Sequence, residues 1–218
     1  MTPRKQFEAE LDTIADTIIK LADGTKDMLI KAVKGLYNQD ITQAKEIIKA
    51  DKRLDKLDQI INDQAILLIA KQQPVATDLR RLIACIRISS DLERMADNAK
   101  NIAKATIQLG DSLEINIHPA IKQMHDQTIK MIDLTIDAFV QEDILLARKL
   151  AEMDNVVDSL YEKVISEILE EKNGNQKEKQ YIIQTALSVR YIERIADHAT
   201  NIGESIIYLV KGITPDLN

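Results

Sequence analysis

Four of the carboxylate pairs that stand four residues apart in this chain are Asp51/Asp55, Glu93/Asp97, Asp154/Asp158 and Glu193/Asp197. Four residues is slightly more than one helical turn, so on a helix each pair projects from one side. Like charges so placed repel and cost an isolated helix a few tenths of a kcal/mol. A bound cation or a basic partner would offset that repulsion. Carboxylates with an amide oxygen nearby suit hard, oxygen-loving cations, and Asn101 and Asn201 each lie one turn beyond a pair. The candidate metal ligands are therefore Asp51, Asp55, Glu93, Asp97, Asn101, Asp154, Asp158, Glu193, Asp197 and Asn201.

A plainer reading stands beside this one. On a helical wheel Leu92, Met95, Ala99, Ile102 and Ala103 fall on one arc, with Glu93, Asp97 and Asn101 away from it. A solvated helix face has the same pattern, and Arg94, Asn98 and Lys100 are near enough to pair with the acids. Either way the patch is expected to be open and near the surface. Other candidates are weaker. His125 lies beside Asp126 and His198 beside Asp197, and each reads first as a packed or solvated histidine. Arg80, Arg87 and Arg94 share a face at heptad spacing, which reads as an ion-paired stripe before it reads as a docking surface. Met28 and Met131 read as core filling.

The elements that must position the acids come from an internal repeat. LERMADNAKNIA at 92–103 matches IERIADHATNIG at 192–203 in seven of twelve positions. A second match relates Ala44, Asp51, Asp55 and Leu57 to Ala147, Asp154, Asp158 and Leu160, and Met28 and Asp40 find Met131 and Asp143. The spacing predicts a duplication of about 105 residues with its seam in GDSLEINIHP at 110–119, giving halves 1–110 and 119–212. Breaks in the apolar pattern near Tyr37–Asp40, Lys71–Pro74, Gln141–Asp143 and the KNGNQ turn divide each half into three helices. Pro3, Pro74 and Pro119 stand where helical patterns begin. The stripes Ala44, Ile47, Leu54, Ile61, Ala65, Leu68 and Ala147, Leu150, Val157, Val164, Ile168 repeat at three and four residues.

The fold expectation is all-α: two tandem, pseudo-symmetric three-helix bundles of six long antiparallel helices. If the second and third helices of each half fold back at their turn, the pairs on them meet at one height. Asp51/Asp55 then faces Glu93/Asp97, and Asp154/Asp158 faces Glu193/Asp197. Each half carries a patch of four carboxylates.

Composition agrees. Aromatics are 3% of the chain, Trp is absent, and Gly and Pro number 6 and 4, which disfavours a β-sandwich. A net charge of −6 gives no overall attraction for nucleic acid. The lone Cys85, among Leu82, Ile83 and Ile86, reads as a buried thiol in a reducing compartment. The N-terminus has no signal-peptide core, and the longest wholly apolar run, Ala65 to Ala70, is far short of a bilayer span. The expectation is a soluble, cytoplasmic protein that meets membranes only through partners. There is no phosphate-cradling Gly-rich loop, no GxSxG elbow, no Cys-based zinc spacing and no Glu-x-x-His. Catalysis is unsupported, and a ferritin-like storage or redox bundle lacks its expected ligands.

The run QPVATDLRRLIACIRISSDLERMADNAKNIAK at Gln73–Lys104 closely resembles the signature of PhoU proteins, and RYIERIADHATNIGE at 190–204 is similar to its second copy. Many members carry Gly at the positions of Ala96 and Ala196, a small-for-small change. The resemblance spans essentially the whole chain. It implies a negative regulator of the phosphate-starvation response, an adaptor between the ATPase subunit of the phosphate ABC transporter and a sensor histidine kinase, often dimeric. It also implies iron or zinc at the repeated E/D-x-x-x-D motifs, while the residues themselves leave manganese and magnesium open. A role as accessory to a different phosphate permease is the alternative.

Overall fold

The apolar rhythm of three and four resolves into six helices in the computed structural model, which describes residues 2–110, 117–170 and 176–217. They are α1 (Pro3–Asn38), α2 (Ile41–Gln72), α3 (Ala76–Leu109), α4 (Pro119–Gln141), α5 (Ile144–Glu170) and α6 (Gln176–Lys211). No strand occurs among the described residues. Residues 111–116 of the seam and 172–175 of the KNGNQ stretch lie outside the described residues.

The duplication reaches the backbone. Gln39 and its counterpart Glu142 end α1 and α4 in the left-handed conformation, at φ 52° and 49°. The next residue opens the following helix in both halves. Asp40 accepts from the backbone N–H of Gln43 at 2.9 Å, and Asp143 accepts from that of Leu145 at 2.7 Å. Each satisfies a helix-start donor that would otherwise lack an intrahelical partner.

Two of the three prolines stand where expected, at the first residue of α1 and of α4. Pro74 does not. It lies in the link between α2 and α3, and Val75 stays extended (φ −124°) as the N-cap, so α3 opens only at Ala76.

Helices α1, α2 and α3 pack on one another, as do α4, α5 and α6; the halves join through a broad contact of α3 with α6 and a smaller one of α1 with α4. One apolar cluster runs through both halves. Ile18, Leu82, Ile88, Leu92, Ile192 and Ile195 are all fully buried in it. Each such side chain contributes about 1.5–3 kcal/mol by leaving water. Met28 and Met131 belong to this core. Cys85 is buried too, and desolvation pushes its thiol up to about 12.

The seam between α3 and α6 also uses residues singled out in the sequence. His198 Nδ1 lies 3.0 Å from Asp91 Oδ1, so this histidine packs against the other half. Arg87 stacks over the Tyr208 ring at 4.7 Å, and Arg80 Nε donates to the Leu209 carbonyl at 3.3 Å. Two of the three stripe arginines thus hold the halves together, and Arg94 is exposed. Among the described residues, no helix is long and apolar enough to cross a membrane.

Candidate metal centre

The α2 stripe has a vacancy in its rhythm between Ile47 and Leu54, and Asp51 fills it. On α5 Asp154 fills the matching place between Leu150 and Val157. Both aspartates sit on the core-facing row and are buried, at 4% and 6% exposure. Glu193 on α6 is buried as well, at 7%. The expectation of an open patch at the surface is therefore corrected. Each patch is recessed between two helices, because one member of each aspartate pair occupies a core position. Asp55, Glu93 and Asp97 are only partly covered, and Asp158 reaches solvent.

The predicted heights are met in both halves. In the first, Lys100 on α3 donates to Asp51 Oδ2 on α2 at 2.6 Å and also bonds Asp97 on its own helix. Burial alone would lower the Lys100 ammonium, but its bonds to Asp51 and Asp97 outweigh that and hold it above its ordinary value. Asp58, one heptad past Asp51, joins this patch. It accepts from Ser89 on α3 and from Asn62 Nδ2 at 2.9 Å. The carboxyls of Glu93 and Asp55 are both raised. Desolvation leads in each, followed by Asp97, Asp55 and Asp58 for Glu93 and by Asp51 for Asp55.

The second half is built differently. Asp154, Asp158 and Asp197 bring carboxylate oxygens within 4.8 Å of one another. Asp154 Oδ1 and Glu193 Oε2 are buried and have no hydrogen-bond partner among the described residues, a state that Asp51 Oδ1 shares in the first patch. Arg190 pairs with Glu193 through the other oxygen, Oε1, from a side chain that is 48% exposed. Desolvation, then Asp158, Asp197 and Glu193, push Asp154 up to about 7. Desolvation and Asp197 push Glu193 to about 7 against the pull of Arg190. Asp197 is raised as well, first by burial. Crowded carboxylates in a recess, short of donors, form a site that gains by taking up a cation or protons.

The asparagines have contacts of their own. Asn101 Oδ1 accepts from Lys104 Nζ at 3.0 Å. Asn201 lines a cleft between the halves with Arg87, Ser90 and Asp91. His125 contacts its neighbour Asp126 at 2.9 Å on α4.

This duplicated helical frame with its acids at matched heights has counterparts among known proteins. The model of the PhoU domain matches residues 18–106 and again 121–206. The chain belongs to the PhoU family. A phosphate-specific transport system accessory protein PhoU homolog from Clostridium acetobutylicum is 34% identical over 216 residues, 99% of each chain. A homolog of the same name from Aquifex aeolicus is 35% identical over 203 residues, 93% of this chain and 92% of that one. Among solved structures, PhoU from Pseudomonas aeruginosa superposes with a TM-score of 0.89 at 28% identity, covering 95% of this chain and all of that one. The phosphate transport system regulatory protein PhoU from Streptococcus pneumoniae gives 0.87 at 27% identity, covering 96% and 99%.

The metals implied by the PhoU motifs can be tested against the residues present. In the second patch the donors are all carboxylates, three of them already converge, and two buried oxygens lack partners. Those features fit a divalent cation such as iron, manganese, magnesium or zinc. The first patch does not fit as arranged, since an ammonium already bridges Asp51 and Asp97. Sequence reasoning passed over Asp58, Arg190 and the burial of Asp51, Asp154 and Glu193. The signal was available: an aspartate standing at a three-four position inside an otherwise apolar stripe is a buried aspartate.

Proposed function

We propose that this chain is an accessory regulator of phosphate transport, acting without chemistry of its own. The observation that carries it is end-to-end similarity, through both repeats, to relatives named as phosphate-specific transport system accessory proteins. In this reading the protein works in the cytoplasm as an adaptor, most simply as a homodimer. It contacts the ATPase subunit of the phosphate ABC transporter and a sensor histidine kinase, and it reaches the membrane only through them. When phosphate is plentiful it holds the kinase in its non-activating state. A clamp of this kind must bind the two states of its partner with different affinity, since equal binding shifts no equilibrium. The second acidic patch takes a divalent cation, which relieves the repulsion of Asp154, Asp158, Glu193 and Asp197 and braces α5 against α6.

Co-purification tests the adaptor. The chain, expressed with the ATPase subunit and with the cytoplasmic part of the kinase, should be retained by each. Retention by a permease subunit alone would instead favour the accessory of a different phosphate transporter.

A further inference from the structure

The two halves repeat the same acids, yet they differ at the position that faces them. At the offset of 100 that aligns 92–103 with 192–203, Lys100 answers to Thr200. The Thr200 hydroxyl donates to the Asp197 backbone carbonyl at 2.7 Å and carries no charge. One turn on, Lys104 answers to Glu204, so the first half gains a second base where the second half gains an acid.

We infer that Lys100 is the resident cation of the first patch, and that the chain therefore binds divalent metal in its second half only. The Lys100 ammonium stands 2.6 Å from Asp51 Oδ2 and is bonded to Asp97, which places positive charge on the line between α2 and α3 where a metal would bridge them. Metal–oxygen bonds are about 2.0–2.6 Å, so ammonium and metal compete for one space and repel each other. Lys100 is well placed to keep that position, for its side chain is 19% exposed and Asp51's is 6%. In the second half nothing equivalent reaches Asp154 among the described residues. Its Oδ1 and Glu193 Oε2 are buried without hydrogen-bond partners, and both residues are more than nine-tenths buried; Asp51 Oδ1 in the first patch also lacks a partner, but there Lys100 holds the other oxygen, Oδ2. Arg190 neutralises Glu193 from the solvent side and leaves that second oxygen open. The duplication has thus produced one site stabilised by the chain's own charge and one that requires a ligand from solution.

The inference rests on the metal reading above, and the test separates the two. Metal bound per chain is measured by elemental analysis after equilibration with manganese or zinc and removal of the excess. Wild type, Lys100→Thr, Thr200→Lys and the double variant Asp154→Asn/Asp197→Asn are compared, each verified as helical by circular dichroism. Wild type should hold metal that the double variant and Thr200→Lys both lose. Lys100→Thr should double the metal held, because it recreates in the first half the arrangement of the second. A folded Lys100→Thr protein that gains no metal overturns the inference. So does wild-type metal that survives in the double variant, since that metal would lie outside the second patch; in both cases metal binding itself stands. Wild type with no metal at all overturns the metal reading and the inference together.

Discussion

Lys100 on α3 stands 2.6 Å from Asp51 on α2, an ion pair set on the row of residues that elsewhere builds the apolar core. Replacing Lys100 by Met would leave Asp51, 4% exposed, facing Asp55 and Asp97 with no basic partner. Breaking a buried pair from one side costs about 3–5 kcal/mol, and the partial exposure of Lys100 places this case at the lower end. Urea unfolding of Lys100→Met should show a loss of about 3 kcal/mol relative to wild type. A change below about 0.5 kcal/mol would mean that the pair is solvated and structurally neutral.

The metal-free second patch should make stability depend on pH. Burial and the neighbouring carboxylates raise Asp154 from 3.8 and Glu193 from 4.5 to about 7. A carboxyl whose folded value lies above its unfolded value takes up its proton more readily in the folded chain. The resulting stability is complete below the unfolded value and is lost as pH rises through the folded one. The chelated protein should therefore have a higher denaturant midpoint at about pH 5.5 than at about pH 8. Asp154→Asn should flatten that slope. Metal should act in the opposite sense, binding more tightly as pH rises because it must displace those protons. A midpoint that does not fall between the two pH values would contradict the assignment.

The apolar cluster is continuous from Phe7 in α1 to Leu209 in α6, with His198, Arg87 and Arg80 fixing the seam. The chain should thus unfold in one transition, although its sequence reads as two similar halves. Ile88→Ala in α3 and Ile195→Ala in α6, each fully buried, should each cost about 2–5 kcal/mol and move that same transition. Two separate transitions, each sensitive to only one of the substitutions, would show that the halves are energetically independent.

Much of this architecture was legible in the residues. The three-four spacing of Ala44 to Leu68, the breaks near Tyr37–Asp40 and Gln141–Asp143, and the repeat at 92–103 and 192–203 give six helices and the height at which the acids meet. The depth of those acids was not so easily read. A wheel drawn from Glu93 places it off the apolar arc, but burial also depends on what the neighbouring helices cover, and α6, which carries the buried Glu193, packs against α3, α4 and α5. The asymmetry between the patches lies in Lys100 and Thr200, the kind of single difference that a search for identities passes over. Pro74 marks the end of α2 and leaves the start of α3 to Val75, whose extended backbone a periodicity cannot show.

Regulation of the phosphate response is probed at its source in a strain lacking this chain. Expression of phosphate-scavenging genes is measured in high phosphate, in the parent, in the deletion strain and in that strain with the chain restored. Expression should be low in the parent, high in the deletion strain and low again on restoration. Expression that stays low in the deletion strain would contradict such regulation.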